Sequence, residues 1–134
     1  MSRVGFDAEA EFHPGQELFL SAASPVTQYG AVFEDDGDTG YFYALDTSRH
    51  EQPILDALHI YNVASVIDRA KPSIVRVTWS PDGLRVLLKL NDYPHAGFDF
   101  AKFRGYCRTN FPAAPKTGFS SNGHEWSDEL LAFF

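Results

Sequence analysis

The most suggestive spacing of polar side chains lies in the segment 92–99, where His95 and Asp99 stand four residues apart. On a helix these two side chains would be neighbours. On a strand they share one face but lie roughly 13 Å apart, at about 3.3 Å per residue. Pro94 and Gly97 disfavour a helix here, so a direct pair requires a turn. The alternative is that His95 hydrogen-bonds locally and that Asp99 caps a helix.

A second set of polar side chains interrupts the apolar stretch 58–63, which contains His59 and Tyr61. In one interpretation they line a pocket, and in the other they satisfy buried backbone groups at the end of a helix. If both converge with His95 and Asp99 on one concave pocket, the protein binds or hydrolyses a small ligand. That convergence is the structural test of this alternative.

An acidic run with the sequence DDGDTG spans residues 35–40 and invites comparison with a calcium-binding loop. An EF-hand loop takes oxygen ligands at its first, third and fifth positions, Gly at the sixth and Glu at the twelfth. A glycine falls at one of the three ligand positions whichever of the first two aspartates begins the count. The sequence therefore predicts an acidic hairpin loop that faces a partner rather than a metal ion. Its carboxylates are Asp35, Asp36 and Asp38.

The remaining residues capable of chemistry form no recognisable motif. None of the five histidines has a partner at the spacing of HExxH. The single cysteine, Cys107, has only His95 as a base close in sequence, so we expect a buried bystander thiol. The chain contains no GxSxG, no P-loop and no GxGxxG. We therefore predict no catalytic residue, no metal and no cofactor, and favour a protein that is not an enzyme.

Alternating side chains predict strands over most of the first half of the chain. Residues 3–12 alternate apolar and charged side chains with period two, and 17–22 form a second alternating run. Between 29 and 46, two aromatic runs flank the acidic loop, which predicts a hairpin. Another hairpin is predicted over 74–91, with Ser80–Gly83 as a type I turn.

Two helices are predicted from local signals in the second half. Apolar residues recur at helical spacing behind Pro53, which predicts a short helix over 53–60. Asp99 is expected to cap another helix. Two observations disfavour this second helix: Gly105 would weaken it, and residues 98–100 alternate as in a strand.

The other segments complete an α+β prediction. Residues 63–67 either extend the first helix or cross to the next strand, 113–123 are loop-like, and 127–134 resemble a capped terminal helical turn. We therefore expect one α+β domain at 1–134, with a mostly antiparallel sheet of about six strands and two or three short helices.

Composition narrows the classes of partner. The formal net charge of −7 disfavours nucleic acids and anionic membranes. It would attract a basic protein, and the alternative is that it serves solubility alone. A single cysteine indicates a reducing compartment, and no apolar stretch approaches ~18 residues, so a cytoplasmic location is expected.

Four segments carry a family resemblance. Gly30–Ala44, Ile54–Val63, Asn91–Ala96 and Arg108–Pro112 together resemble a small bacterial family known only as a domain of unknown function. The resemblance covers most of the chain. It implies a bacterial, cytosolic, single-domain protein and implies no activity or catalytic residue.

Three functions remain open on these grounds. The favoured one is a non-enzymatic binding protein, in its sharper form an immunity-type protein that blocks a basic toxin through the acidic hairpin loop. The second is the small-ligand or hydrolytic protein centred on His95 and Asp99. The third is a subunit that forms a homodimer through an exposed strand.

Overall fold

The computed structural model describes residues 7–112, 115 and 117–134, and within them the chain forms nine strands and two short 3-10 helices. The strands are β1 Asp7–Phe12, β2 Leu18–Ala23, β3 Tyr29–Asp35, β4 Thr39–Asp46, β5 Ile54–Asn62, β6 Ser73–Trp79, β7 Arg85–Leu90, β8 Tyr93–Asp99 and β9 Arg104–Cys107. The 3-10 helices are Val63–Ser65 and Asp128–Phe133. No helix among these residues is long and apolar enough to cross a membrane.

The strands form two antiparallel sheets that pack face to face. One has five strands in the order β1-β6-β7-β8-β9, and the other has four in the order β2-β3-β4-β5. Alternation sends every second side chain into the space between them. There, the rings of Phe42 and Phe98, one from each sheet, stack with centroids 5.1 Å apart. The Trp79 indole N–H donates across the sheets to the carbonyl of Ala22 at 3.2 Å.

The strands and hairpins predicted from alternation are confirmed. β2 matches the predicted strand 17–22, and β1 matches 3–12 from Asp7 onward, residues 3–6 lying outside the described part. Both hairpins are present as β3–β4 and β6–β7. The predicted turn closes with the Gly83 N–H donating to the Ser80 carbonyl at 2.9 Å.

The α+β fold class was wrong, because the described chain is nearly all antiparallel sheet. The predicted helix over 53–60 is β5. Its pairing with β4 shifts register twice, leaving Leu55 and Ile60 without a partner residue. A β-bulge places two consecutive side chains out of alternation, so the apolar spacing of a doubly bulged strand imitates that of a helix.

The second predicted helix was also wrong, since β8 ends at Asp99 and β9 returns beside it. The Asp99 carboxylate does accept from the backbone N–H groups of Ala101 and Lys102, at 2.9 and 3.2 Å, as a helix cap would. The chain then reverses through Phe103, whose φ is +53°. The capping signal was therefore real, but it begins a tight turn.

The predicted terminal turn is confirmed and covers one sheet. The Ser127 hydroxyl accepts from the Glu129 N–H at 3.3 Å and caps the 3-10 helix Asp128–Phe133. Leu130 of this helix joins Leu87 and Tyr106, from the outer face of the five-stranded sheet, in a second buried apolar cluster. We call this outer surface the covered face.

Candidate functional site

Asp35 is a buried carboxylate whose acceptor positions are filled by the chain itself. It accepts from the N–H groups of Gly15 and Gly37, each at 2.8 Å, and from the Tyr61 hydroxyl at 2.7 Å. Burial, together with this hydrogen bond and the charge of Asp35, raises the pKa of Tyr61 above its usual 10. Asp35 therefore joins two loops to the end of β5 and is not free for a partner.

A bulge in β5 brings Tyr61 to Asp35. Because Ile60 has no partner residue, Tyr61 pairs with Gly40 and faces inward, although the outward-facing His59 is only two positions earlier. Gly40 provides the space, since a Cβ there would lie 2.6 Å from Cζ of Tyr61. Asp35 pairs with Gly40 from the other side, so the carboxylate meets the phenol across it.

The other two loop aspartates, Asp36 and Asp38, lie at the surface. Asp36 accepts from the N–H groups of Asp38 and Thr39 at 2.9 and 2.8 Å, and these two bonds lower its pKa. An Asx-type turn of this kind fixes the loop and keeps the carboxylate ionised at neutral pH.

His95 and Tyr61 share a cavity of about 250 Å³ where β1, β5 and β8 approach one another. Burial, and secondarily the charge of Arg108, lowers the pKa of His95 below 6.5, so the imidazole is neutral at pH 7. The other lining residues are mostly apolar: Phe12, Pro14, Val66, Ile67, Ser73, Leu90 and Asn91.

Asp99 and His59 lie elsewhere. Asp99, at the far end of β8, forms an ion pair with Arg85 at 3.2 Å. His59 faces outward, with its ring 5.3 Å from that of Tyr41. The four side chains singled out for a small-ligand pocket therefore do not converge, and only two of them share a cavity.

Sequence reasoning missed a buried cluster of Asp56, His124 and Ser120. The His124 Nε2–H donates to the Asp56 carboxylate at 2.8 Å, and the Ser120 hydroxyl donates to it at 2.6 Å. The His124 Nδ1 lies 2.6 Å from the Pro112 carbonyl. Both ring nitrogens thus face acceptors, which requires the doubly protonated, charged imidazole.

The electrostatics of this cluster agree with its geometry. Burial by itself lowers the pKa of His124, but the hydrogen bond and charge of Asp56, aided by the Pro112 carbonyl, outweigh it and raise the pKa above 6.5. Both side chains of the ion pair are fully buried. The Ser120 hydroxyl contacts the carboxylate rather than the imidazole, so the arrangement does not activate a nucleophile. It anchors the segment after β9 to β5.

No local signal marks this cluster, because Asp56 and His124 are 68 positions apart. Predicting a helix over 53–60 also hid the inward direction of Asp56, which the bulge at Leu55 sets. Gly105 is the one residue whose type hints at a close approach by this cluster. A glycine leaves room for the Asp56 carboxylate, which would lie 2.7 Å from a Cβ at this position.

The outer face of the four-stranded sheet has no counterpart of the 3-10 helix Asp128–Phe133 over it among the described residues, and we call it the open face. Cross-strand register places its outward side chains in rows: Phe19–Glu34–Tyr41–His59, then Ser21–Val32–Tyr43–Ala57, then Leu45 with Ile54. Two adjacent cavities of about 280 and 320 Å³ indent it, and Phe19 and Glu34 line both.

The strands that form the open face, β2 to β5, contain acidic and aromatic residues but no Lys or Arg. No Lys or Arg occurs between residues 4 and 48, and the nearest in the loop after β4 is Arg49. Within the described residues, neither Glu17 nor Glu34 forms an ion pair, whereas Glu9 on the five-stranded sheet pairs with Arg76 at 3.0 Å. Residues 7–112, 115 and 117–134 contain no group of three His, Cys, Asp or Glu that could hold a metal ion.

A family model described as an uncharacterized protein conserved in bacteria (DUF2251) matches residues 12–134. The chain belongs to this family. This confirms the resemblance found in the sequence. A protein of Haemophilus influenzae described as uncharacterized is 44% identical over 103 residues, which cover 72% of this chain and 64% of that protein, so the chain spans less than two thirds of the relative's length. No solved structure matches the chain significantly.

Proposed function

We propose that this DUF2251 protein is a non-enzymatic binding protein that recognises a basic protein through the open face. The supporting observation is the unpaired charge of that face: its carboxylates have no cationic partner within the described residues, and an apolar cavity lies beside them. Aromatic rings and charges around an apolar centre are typical of protein interfaces.

Electrostatics favour a basic partner over other classes. A surface that carries only negative charge speeds the encounter with a positively charged one and repels phosphate groups. The partner therefore presents Lys or Arg around an apolar side chain. An immunity-type role against a basic toxin is one form of this function and stays a prediction, as does the cytoplasmic location.

Capture from a bacterial extract tests the proposal with two variants of equal charge. The face variant combines Glu17→Gln, Glu34→Gln and Asp36→Asn. Its control combines Glu11→Gln, Asp68→Asn and Asp92→Asn, which are exposed carboxylates outside strands β2 to β5 and outside the lining of the two open-face cavities. We expect a basic protein to be bound by the wild type and the control, lost by the face variant, and released when salt shortens the Debye length to about 3 Å at 1 M.

The captured protein is then identified by mass spectrometry and titrated in purified form. Capture of the same proteins by all three chains would contradict the proposal, and so would a partner without excess Lys and Arg or no salt-sensitive capture at all.

A further inference from the structure

Glu34 sits in the middle of the first row of the open face. It pairs across β2–β3 with Phe19 and across β3–β4 with Tyr41. Directly opposed residues have Cβ atoms about 4.5–5.5 Å apart, and the diagonal neighbour Tyr43 lies about 7–8 Å away. Burial, followed by the charge of Glu34, raises the pKa of Tyr43, which agrees with this proximity. One carboxylate is therefore flanked by aromatic rings from two strands.

The two cavities of the open face meet at this carboxylate. The first is acidic and is also lined by Glu17 and Asp36, whereas the second is apolar and is also lined by Val32, Leu45 and Ile54. Phe19, 66% exposed, stands between them. A ligand that fills both must present a cation and an apolar group side by side.

Arginine suits this arrangement better than lysine. Its planar guanidinium can bind a carboxylate through two parallel hydrogen bonds while stacking on a ring, and an ammonium group offers neither geometry. The same molecule contains a related combination with single contacts: the Arg85 guanidinium lies 3.8 Å above the centre of the Phe133 ring, donates to the Asp82 carboxylate at 2.8 Å and forms an ion pair with Asp99 at 3.2 Å.

We propose that the open face receives an arginine side chain of its partner at Glu34, between Phe19 and Tyr43, with a neighbouring apolar side chain in the cavity lined by Val32, Leu45 and Ile54. This inference rests on the proposed function and names the chemical feature that the partner supplies. A second copy of the chain docking through the same face would bring one Glu34 toward another, so charge favours a basic partner over self-association.

An NMR titration with defined probes tests the site. The ¹⁵N-labelled protein is titrated with acetyl-Leu-Arg-amide and, in parallel, with acetyl-Leu-Lys-amide at constant ionic strength. We expect saturable shifts of the Phe19, Glu34 and Tyr43 amides in the millimolar range, with the arginine probe binding about fivefold more tightly.

The control variants make the result specific to the site. Glu34→Gln should weaken the arginine probe about fivefold, whereas Asp92→Asn should leave its affinity unchanged. Equal affinity of the two probes, shifts centred on the 36–38 loop, or an unaffected Glu34→Gln protein would overturn the arginine site. Loss of capture by the triple face variant together with such a result would leave the proposed function intact, so the two failures are distinguishable.

Discussion

The outer faces of the two sheets are built from similar residues but are completed in different ways. On the covered face, Leu87 and Tyr106 lie under Leu130 of the C-terminal 3-10 helix, and Arg85 and Arg108 stack on aromatic rings of the C-terminal segment. On the open face, aromatic and acidic side chains lie side by side, and no helix within the residues that the structure describes packs over them. Leu130 is 1% exposed, whereas Phe19 is 66% exposed.

The difference between the two outer faces lies in whether another segment of the same chain contacts the outward side chains. On the side of the five-stranded sheet, the guanidinium groups of Arg85 and Arg108 stack on rings of the C-terminal segment, and Lys102 of the β8–β9 turn contacts Glu129 at 3.7 Å. The outward carboxylate of the four-stranded sheet, Glu34, and the outward rings beside it have no cationic counterpart within the described residues. The covered face is thus an intramolecular example of the contacts that we propose for the open face.

The largest expected effect is the loss of the buried ion pair that anchors the segment leading to the cover. Asp56→Ala leaves His124 and Ser120 without their acceptor in the interior, which should lower the free energy of unfolding by about 3–5 kcal/mol. Urea denaturation measures it. If that variant does not fold, Ser120→Ala should still cost about 1–3 kcal/mol. Values below 1 kcal/mol for both would contradict the anchoring role.

Removing the cover itself should have the next largest effect. Leu130→Ala creates a cavity against Leu87 and Tyr106 and should destabilise the protein by about 2–5 kcal/mol. The covered face should then resemble the open one, with increased binding of an apolar dye and faster hydrogen exchange over 128–133. Unchanged stability would mean that the 3-10 helix contributes nothing to covering the sheet.

The pH dependence of stability should separate two buried histidines of opposite behaviour. The pKa of His124 is raised above 6.5, so its contribution is present below pH 6.5 and is lost as pH rises through the folded-state pKa. The pKa of His95 is lowered, so its contribution is present above pH 6.5 and is lost as pH falls through the folded-state pKa. Urea denaturation across mildly acid to mildly alkaline pH should therefore show a maximum near 6.5.

Single substitutions check this assignment. His95→Gln should flatten the acid side of the curve, because it removes the imidazole whose pKa is lowered. Asp56→Asn should flatten the alkaline side, because it removes the carboxylate that raises the pKa of His124. If the free energy of unfolding still falls on both sides of the maximum in both variants, the pH dependence belongs to other groups.

The smallest effect on stability is expected on the open face. Phe19→Gln changes a side chain that is mostly in solvent, so the free energy of unfolding should move by less than about 0.5 kcal/mol. Capture of the basic partner should nevertheless decrease, since Phe19 lines both cavities. A large loss of stability would show that Phe19 serves packing rather than recognition.

The local sequence pattern was sufficient to predict a strand wherever apolar and polar side chains alternate without interruption. The two hairpins at 29–46 and 74–91 were predictable because period two and turn residues act between near neighbours. β5 was not, since its two bulges depend on pairing with β4 and give its apolar residues the spacing of a helix. Asp99 gave a true capping signal, but the sequence does not say that a turn follows instead of a helix.

The functional residues also divide into those that the local sequence predicts and those that depend on contacts between distant strands. The acidic loop at 35–40 and its hairpin were visible in the sequence, but the separation of buried Asp35 from exposed Asp36 was not. Nor was the open face, because its rows join residues from four strands. The pairing of Asp56 with His124 spans 68 positions and leaves no local trace.

The sequence by itself determined the alternating strands, the tight turns and the excess of negative charge, because each depends on residue types within a few positions of one another. The tertiary structure decided which carboxylates are buried, which sheet the C-terminal segment covers and which rings surround Glu34. Those outcomes depend on how distant strands pair, and pairing between distant segments follows from burial in a shared core that no single stretch of sequence contains.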